Sequence, residues 1–232
     1  MHLSRPRRQL LALAALCMSG LASAADKFVA LTFDDGPDTV QTARVLDRLK
    51  AHGAKATFFV LGERLTPAHH GVVERIKAEG HEIGVHGFDH KALDKLSAPE
   101  AKAETAKAYA AVAAGTGTKP AWYRATFLAV SPTLMAAIDL PFAGGIAAFD
   151  WPGTDAVTAQ QRAQKVLQSA DLRNGAIILL HDVQPEPHPS AELLDILIPA
   201  LKAQGYGFLT LSELFKRRGV QPALRKQWLV AE

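Results

Sequence analysis

An α/β fold with a parallel sheet closed on itself is predicted for this chain by three observations. Short β-type runs alternate with helical patterns seven times, with no repeat, low-complexity segment or long linker. Such alternation places parallel strands in one sheet with helices outside it. The chain length and 48% hydrophobic content are enough for one domain with a full core. Finally, the polar residues that could carry chemistry stand at the ends of the strand runs, and barrels of this class build their sites at the C-terminal rim. A doubly wound open sheet, which also lines up strand ends along a crevice, is the second choice.

The elements follow in order. Phe28–Phe33 reads as the first strand and Gln41–His52 as its helix; Ala56–Val60 precedes a helix near Gly71–Glu79; Glu82–His86 precedes the alanine-rich Ala98–Ala114. Trp122–Arg124 is followed by Ser131–Ile138, where Ser131-Pro132 suits an N-cap with proline at the first helical position. Phe142–Phe149, interrupted by Gly144-Gly145, precedes Thr158–Leu172, which opens with the capping box Thr158-Ala-Gln-Gln161. Ala176–His181 precedes Ser190–Gln204, and Gly207–Thr210 precedes a last helix over Ser212–Arg217.

Ahead of these units lies a leader. Arg5, Arg7 and Arg8 form a basic start, Leu10 to Leu21 an apolar stretch, and Ala22-Ser23-Ala24 a small-residue cleavage site, so residues 1–24 read as a secretory signal and 25–232 as the mature domain. The apolar stretch is shorter than the roughly 20 residues needed to span a bilayer, so stable membrane insertion after cleavage is not expected. An exported protein, periplasmic or secreted, follows. The leader holds three of the 26 basic residues, which leaves 23 against 23 acidic ones, and nothing then points to nucleic acid or an anionic polymer as partner. Cys17, the only cysteine, leaves with the leader, so disulfide and thiol chemistry are excluded from the mature domain.

Two motifs supply the chemistry. Thr32-Phe-Asp-Asp-Gly-Pro37 lies about fifty residues before His86-Gly-Phe-Asp-His90, and both sit where a strand run ends. Together they offer two imidazoles, one carboxylate ligand and a spare carboxylate. Catalytic zinc takes three such ligands and keeps a position open for water. Asp35, His86 and His90 are the candidate ligands. Asp34 is the candidate base, because neighbours on an extended strand point to opposite sides and would have separate tasks. His181 ends another apolar strand, where it is either a buried histidine bonded to a carbonyl or an acid for a leaving group.

The order of five motifs resembles the polysaccharide deacetylase family, the NodB-homology domain or family four carbohydrate esterases. They are Thr32–Pro37, His86–His90, Tyr123-Arg-Ala-Thr-Phe127, Phe149-Asp-Trp151 and Ile178-Leu-Leu-His-Asp182, and the resemblance runs from Phe28 to about Phe215. It implies a distorted (β/α) barrel of about seven parallel strands with a gap where a polymer could lie. It implies one divalent ion, zinc with cobalt or nickel as alternatives, and hydrolysis of acetyl groups from a carbohydrate by a monomer. It gives His181 the role of acid, with Asp150 holding its imidazole; Asp182 is a turn residue or a competitor for that holding role. Arg124 is either a surface cation or the partner that keeps Asp34 ionised. The N–H of Phe127 would bind the oxyanion, and Trp151 and Leu179 would receive the acetyl methyl.

Two departures from the family pattern carry expectations. Ala125 and Thr126 replace a proline-bearing stretch, which predicts a looser third loop, and Gly87 replaces a hydroxyl residue, which predicts weaker preorganisation of the second. His52, His69, His70, His81 and His188 read as solvated surface groups, and Glu100, Lys102, Glu104 and Lys107 as a solvated helix face. The competing functions are hydrolysis of a small cyclic or linear amide on the same barrel and a secreted carbohydrate-binding pseudoenzyme.

Overall fold

The computed structural model describes residues 25–151, 157–186 and 188–232, so the expected leader lies outside the described residues. In chain order the elements are β1 (Lys27–Asp34), α1 (Gln41–Ala51), β2 (Ala56–Val60), α2 (His70–Ala78), β3 (Glu82–Val85), α3 (Ala98–Thr116), α4 (Pro132–Ala137), β4 (Phe142–Ala143), β5 (Ile146–Ala147), α5 (Ala159–Leu167), β6 (Ile177–His181), α6 (Ser190–Ala203), β7 (Tyr206–Phe208), α7 (Leu211–Arg218) and β8 (Gln227–Trp228). No described helix is long and apolar enough to cross a membrane.

The main sheet runs β3-β2-β1-β6-β5, all parallel, with β7 on the first residues of β1. Val29 to Phe33 of β1 are buried without alternation, as a central strand covered on both faces requires. Register sets the site: Asp34 lies opposite His181 of β6 and Phe59 of β2, so the ends of three strands meet at one level. Outside the sheet, α1 turns Val45, Leu46 and Leu49 inward. Helices α4 and α5 start as the sequence predicts: Leu134 N–H donates to Ser131 Oγ at 3.1 Å, and Thr158 and Gln161 exchange the two bonds of a capping box.

Three features differ from the sequence reading. The expected fourth strand contracts to single bridges from Tyr123 to Val85 and to Phe142. The expected fifth strand shortens to β4 and β5 on either side of Gly144-Gly145, where the carbonyls of Ala143 and Gly144 accept from the Arg124 guanidinium. The third feature is β8, which the sequence reading does not include. It pairs with β4, while Gly144 N–H donates to Trp228 O at 2.7 Å and Ile177 N–H to Leu229 O at 3.0 Å. The C-terminal segment therefore sits between β4 and the start of β6 and joins the two ends of the ring.

Candidate metal centre and active site

The chain leaves β1 through an abrupt bend. Asp35 has φ 78°, a left-handed conformation uncommon outside glycine, and it turns both carboxylates toward one cavity instead of to opposite sides of a strand. The expectation from strand alternation is therefore corrected. Asp182 braces the bend on both sides: its N–H donates to Asp34 O at 3.1 Å, and its Oδ1 accepts from Gly36 N–H at 3.1 Å. Its other oxygen accepts from the Thr42 hydroxyl, and a Cβ at Gly36 would collide with the same carboxylate, which explains the glycine. Asp182 thus holds the loop, while the His181 ring is held by Asp150. Burial pushes its carboxyl up to about 7.

Asp35 Oδ1 lies 3.3 Å from His86 Nε2 and 3.1 Å from His90 Nε2. It is buried with no hydrogen-bond partner among the described residues, although two imidazoles face it. One ligand atom from each of Asp35, His86 and His90 falls within 4.8 Å of the others. His86 Nδ1 is 3.0 Å from Arg124 O, which accepts the Nδ1 proton and leaves Nε2 with its lone pair directed at the cluster. Burial by itself would raise the Asp35 carboxyl, but the two imidazoles outweigh it and hold it well below the usual range. An orphaned buried carboxylate oxygen beside two imidazole nitrogens is a donor set that suits a zinc-like divalent cation.

The base candidate is held from behind. Asp34 Oδ1 accepts from Arg124 Nη1 at 2.7 Å, and Arg124 is 0% exposed, with Nε on Ala143 O and its guanidinium 4.3 Å from the Phe59 ring centroid. Complete burial excludes the reading of Arg124 as a surface cation. Asp34 Oδ2 remains directed at the cluster, 3.8 Å from His86 Nε2.

Across the cavity, His181 Nδ1 meets Asp150 Oδ1 at 2.8 Å, while Asp150 Oδ2 accepts from His181 N–H at 2.9 Å and from the Ser190 hydroxyl. Burial would pull the imidazole down, but the Asp150 hydrogen bond and the charges of Asp150, Asp34 and Asp35 prevail and push it up to about 9. His188 Nε2 lies 3.0 Å from Ser190 Oγ, so this histidine is part of the support and not a solvated surface group. His81 is also buried, accepting from Ala56 N–H at 3.1 Å, and its place is structural.

One cavity of about 540 Å³ contains Asp34, Asp35, His86, His90 and His181, with Leu179 and Trp151 in its wall. The Trp151 ring meets His181 edge-on at 5.7 Å. Phe127 stands at its mouth, 67% exposed, with φ 58° and its ring against His90 at 4.5 Å. Its N–H donates to no acceptor among the described residues. The third loop is tied down without proline, since the buried Thr126 hydroxyl donates to Lys91 O at 2.6 Å. Gly87 has φ 88°, which favours glycine, and its carbonyl accepts from Gly62 N–H at 3.1 Å. Gln184 lines the cavity as well and donates to Asp35 Oδ2, a contact the motifs do not signal.

Comparison with known proteins adds a family. A model described as polysaccharide deacetylase matches residues 22–141. The chain is 37% identical over 204 residues to a bifunctional xylanase/deacetylase of Pseudobutyrivibrio xylanivorans, covering 88% of this chain and 33% of that protein. It is 39% identical over 191 residues to the peptidoglycan-N-acetylglucosamine deacetylase PgdA of Listeria monocytogenes, covering 82% of this chain and 39% of that one. It thus spans about a third to two fifths of these two relatives. Among solved structures, a family 4 acetyl xylan esterase from Clostridium thermocellum, in complex with a cobalt ion, superposes with a TM-score of 0.83 at 45% identity, covering 88% of this chain and 98% of that one.

Proposed function

This chain belongs to the polysaccharide deacetylase family, and from that membership and its site we propose a metal-dependent hydrolase that removes acetyl groups from a carbohydrate. The N-acetyl group of an amino-sugar polymer or oligomer is the proposed target, ahead of an O-acetyl ester. The observation that carries the reading is the opposition, within one cavity, of two separately supported proton-handling groups, Asp34 on Arg124 and His181 on Asp150, around a three-residue ligand cluster. A binding protein needs no such pair.

Asp35, His86 and His90 would hold one divalent ion, zinc by the chemistry of the set, and the ion would polarise the acetyl carbonyl and lower the pKa of a water. The remaining work falls to the chain. Asp34 takes the proton of the attacking water, its second oxygen being engaged by Arg124. Phe127, Trp151 and Leu179 line the same cavity; in this reading the N–H of Phe127 would receive the carbonyl oxygen as it gains negative charge, and Trp151 and Leu179 the acetyl methyl. His181 holds Nδ1 on Asp150 and gives the Nε2 proton to the departing nitrogen. An amine leaves poorly unless protonated, so an imidazole held toward its charged form by Asp150 suits the amide substrate.

Acetate release by the metal-loaded protein from chitooligosaccharide, peptidoglycan fragments, poly-N-acetylglucosamine and acetylated xylan tests the proposal. Binding of these without acetate release would favour the pseudoenzyme, and opening of a small imide or ureide the competing amide hydrolase. We propose further that residues 1–24 direct export and are removed before Ala25, which mass spectrometry of the native protein checks.

A further inference from the structure

The loop after β6 carries a residue whose contacts go to the ligand cluster and not to the acid. Gln184 Nε2 donates to Asp35 Oδ2, while its backbone N–H donates to Gln41 Oε1 at 3.0 Å, at the first residue of α1. The loop is also tied to the β1 bend by the two Asp182 contacts described above. A carboxylate accepts only, so the Gln184 amide must present its nitrogen to it. The two oxygens of Asp35 are consequently in different states: Oδ2 is occupied by an amide, and Oδ1 is buried, unbonded and directed at His86 and His90.

We propose that Gln184 is a positioning residue for the metal ligand Asp35, restricting that carboxylate to coordination through Oδ1 alone. A carboxylate free to chelate through both oxygens takes up an additional coordination position, whereas an amide held on one oxygen leaves that position for water and the acetyl oxygen. The hydrogen bond also fixes the rotation of the carboxylate before the ion arrives. This inference rests on the metal-site reading above.

The test measures metal binding directly. Gln184→Met removes the donor at similar size and Gln184→Ala removes it outright; Gln184 is half-buried on a loop, and thermal melting of the metal-free proteins checks that both fold like the parent. Competition with a chromophoric chelator should show zinc or cobalt affinity falling by about 10- to 100-fold in both, the usual consequence of losing a ligand's supporting hydrogen bond. The visible spectrum of the cobalt form should change in shape and intensity as Asp35 shifts toward two-oxygen coordination. If the parent takes up one ion and both variants match its affinity and cobalt spectrum, the role of Gln184 is overturned while the site stands. If the parent takes up none, both fall. A metal-free melting temperature that drops with affinity unchanged also overturns it, since Gln184 would then serve only the fold.

Discussion

Replacing Asp150 by asparagine should move the alkaline limb of kcat/KM toward neutrality. The His181 imidazole, at about 9 against an ordinary 6.5, binds its proton about 3 kcal/mol more tightly than a free histidine. The Asp150 hydrogen bond and charge are the foremost contributions opposing burial. Without them burial prevails, and the limb should fall by about 2 pH units or more. A bound cation offsets the share due to Asp34 and Asp35, so parent and variant are compared in the same metal-loaded state. The fold registers the change too. A raised histidine contributes stability that is complete below 6.5 and is lost as pH rises through about 9, so the parent should lose stability over that window and the variant should not. The asparagine can still accept from Nδ1 through one atom, but its amide then faces His181 N–H, at a cost of about 1–3 kcal/mol. Acetate release from chitooligosaccharide between pH 5 and pH 10 is the assay. An unmoved alkaline limb in a folded, metal-loaded variant would refute the assignment of His181 as the acid tuned by Asp150.

Other outcomes follow from the same geometry. His86→Ala and His90→Ala should lower metal content together with activity, and chelation should abolish acetate release until zinc or cobalt is restored; normal occupancy in both variants, by atomic absorption, would put the metal elsewhere. Asp34→Asn should keep its metal and lose on the order of 10² to 10⁴ in rate, the contribution of a positioned base, and a near-normal rate would remove Asp34 from that role. Arg124→Ala leaves the Asp34 carboxylate buried without its partner and should cost about 3–5 kcal/mol by urea denaturation, where a loss under 1 kcal/mol would contradict the buried pair. Thr126→Pro, which restores the family residue, should lower kcat/KM because it removes the tie to Lys91; a rise would show that the loop is limited by looseness after all.

The alternation of strands and helices, except at the fourth and fifth strands, the convergence of polar residues at strand ends and the capped starts of α4 and α5 were legible in the chain, because periodicity and capping are local properties carried by neighbouring residues. So was the candidate ligand set: Asp35 and His86 each stand at the end of a recognisable run, His90 follows four residues later, and the three come within reach of one another. Local pattern misled where tertiary contacts override it. Strand alternation would separate Asp34 from Asp35, yet Asp182, a sequence neighbour of neither, holds the bend that brings both into one cavity. Arg124 reads equally as a surface group or a buried partner until β4 and β5 close over it. His188, Ser190 and Gln184 have no motif, and they reach the site through contacts between distant segments, Gln184 with Asp35 and Gln41, and Ser190, bonded to His188, with Asp150. The closing segment around β8 was invisible for the same reason: a two-residue strand has no periodicity of its own and exists only by pairing with β4, more than eighty residues earlier. Sequence thus determined the scaffold and the candidate groups at its strand ends, while the hydrogen bonds between distant segments decided which way those groups face.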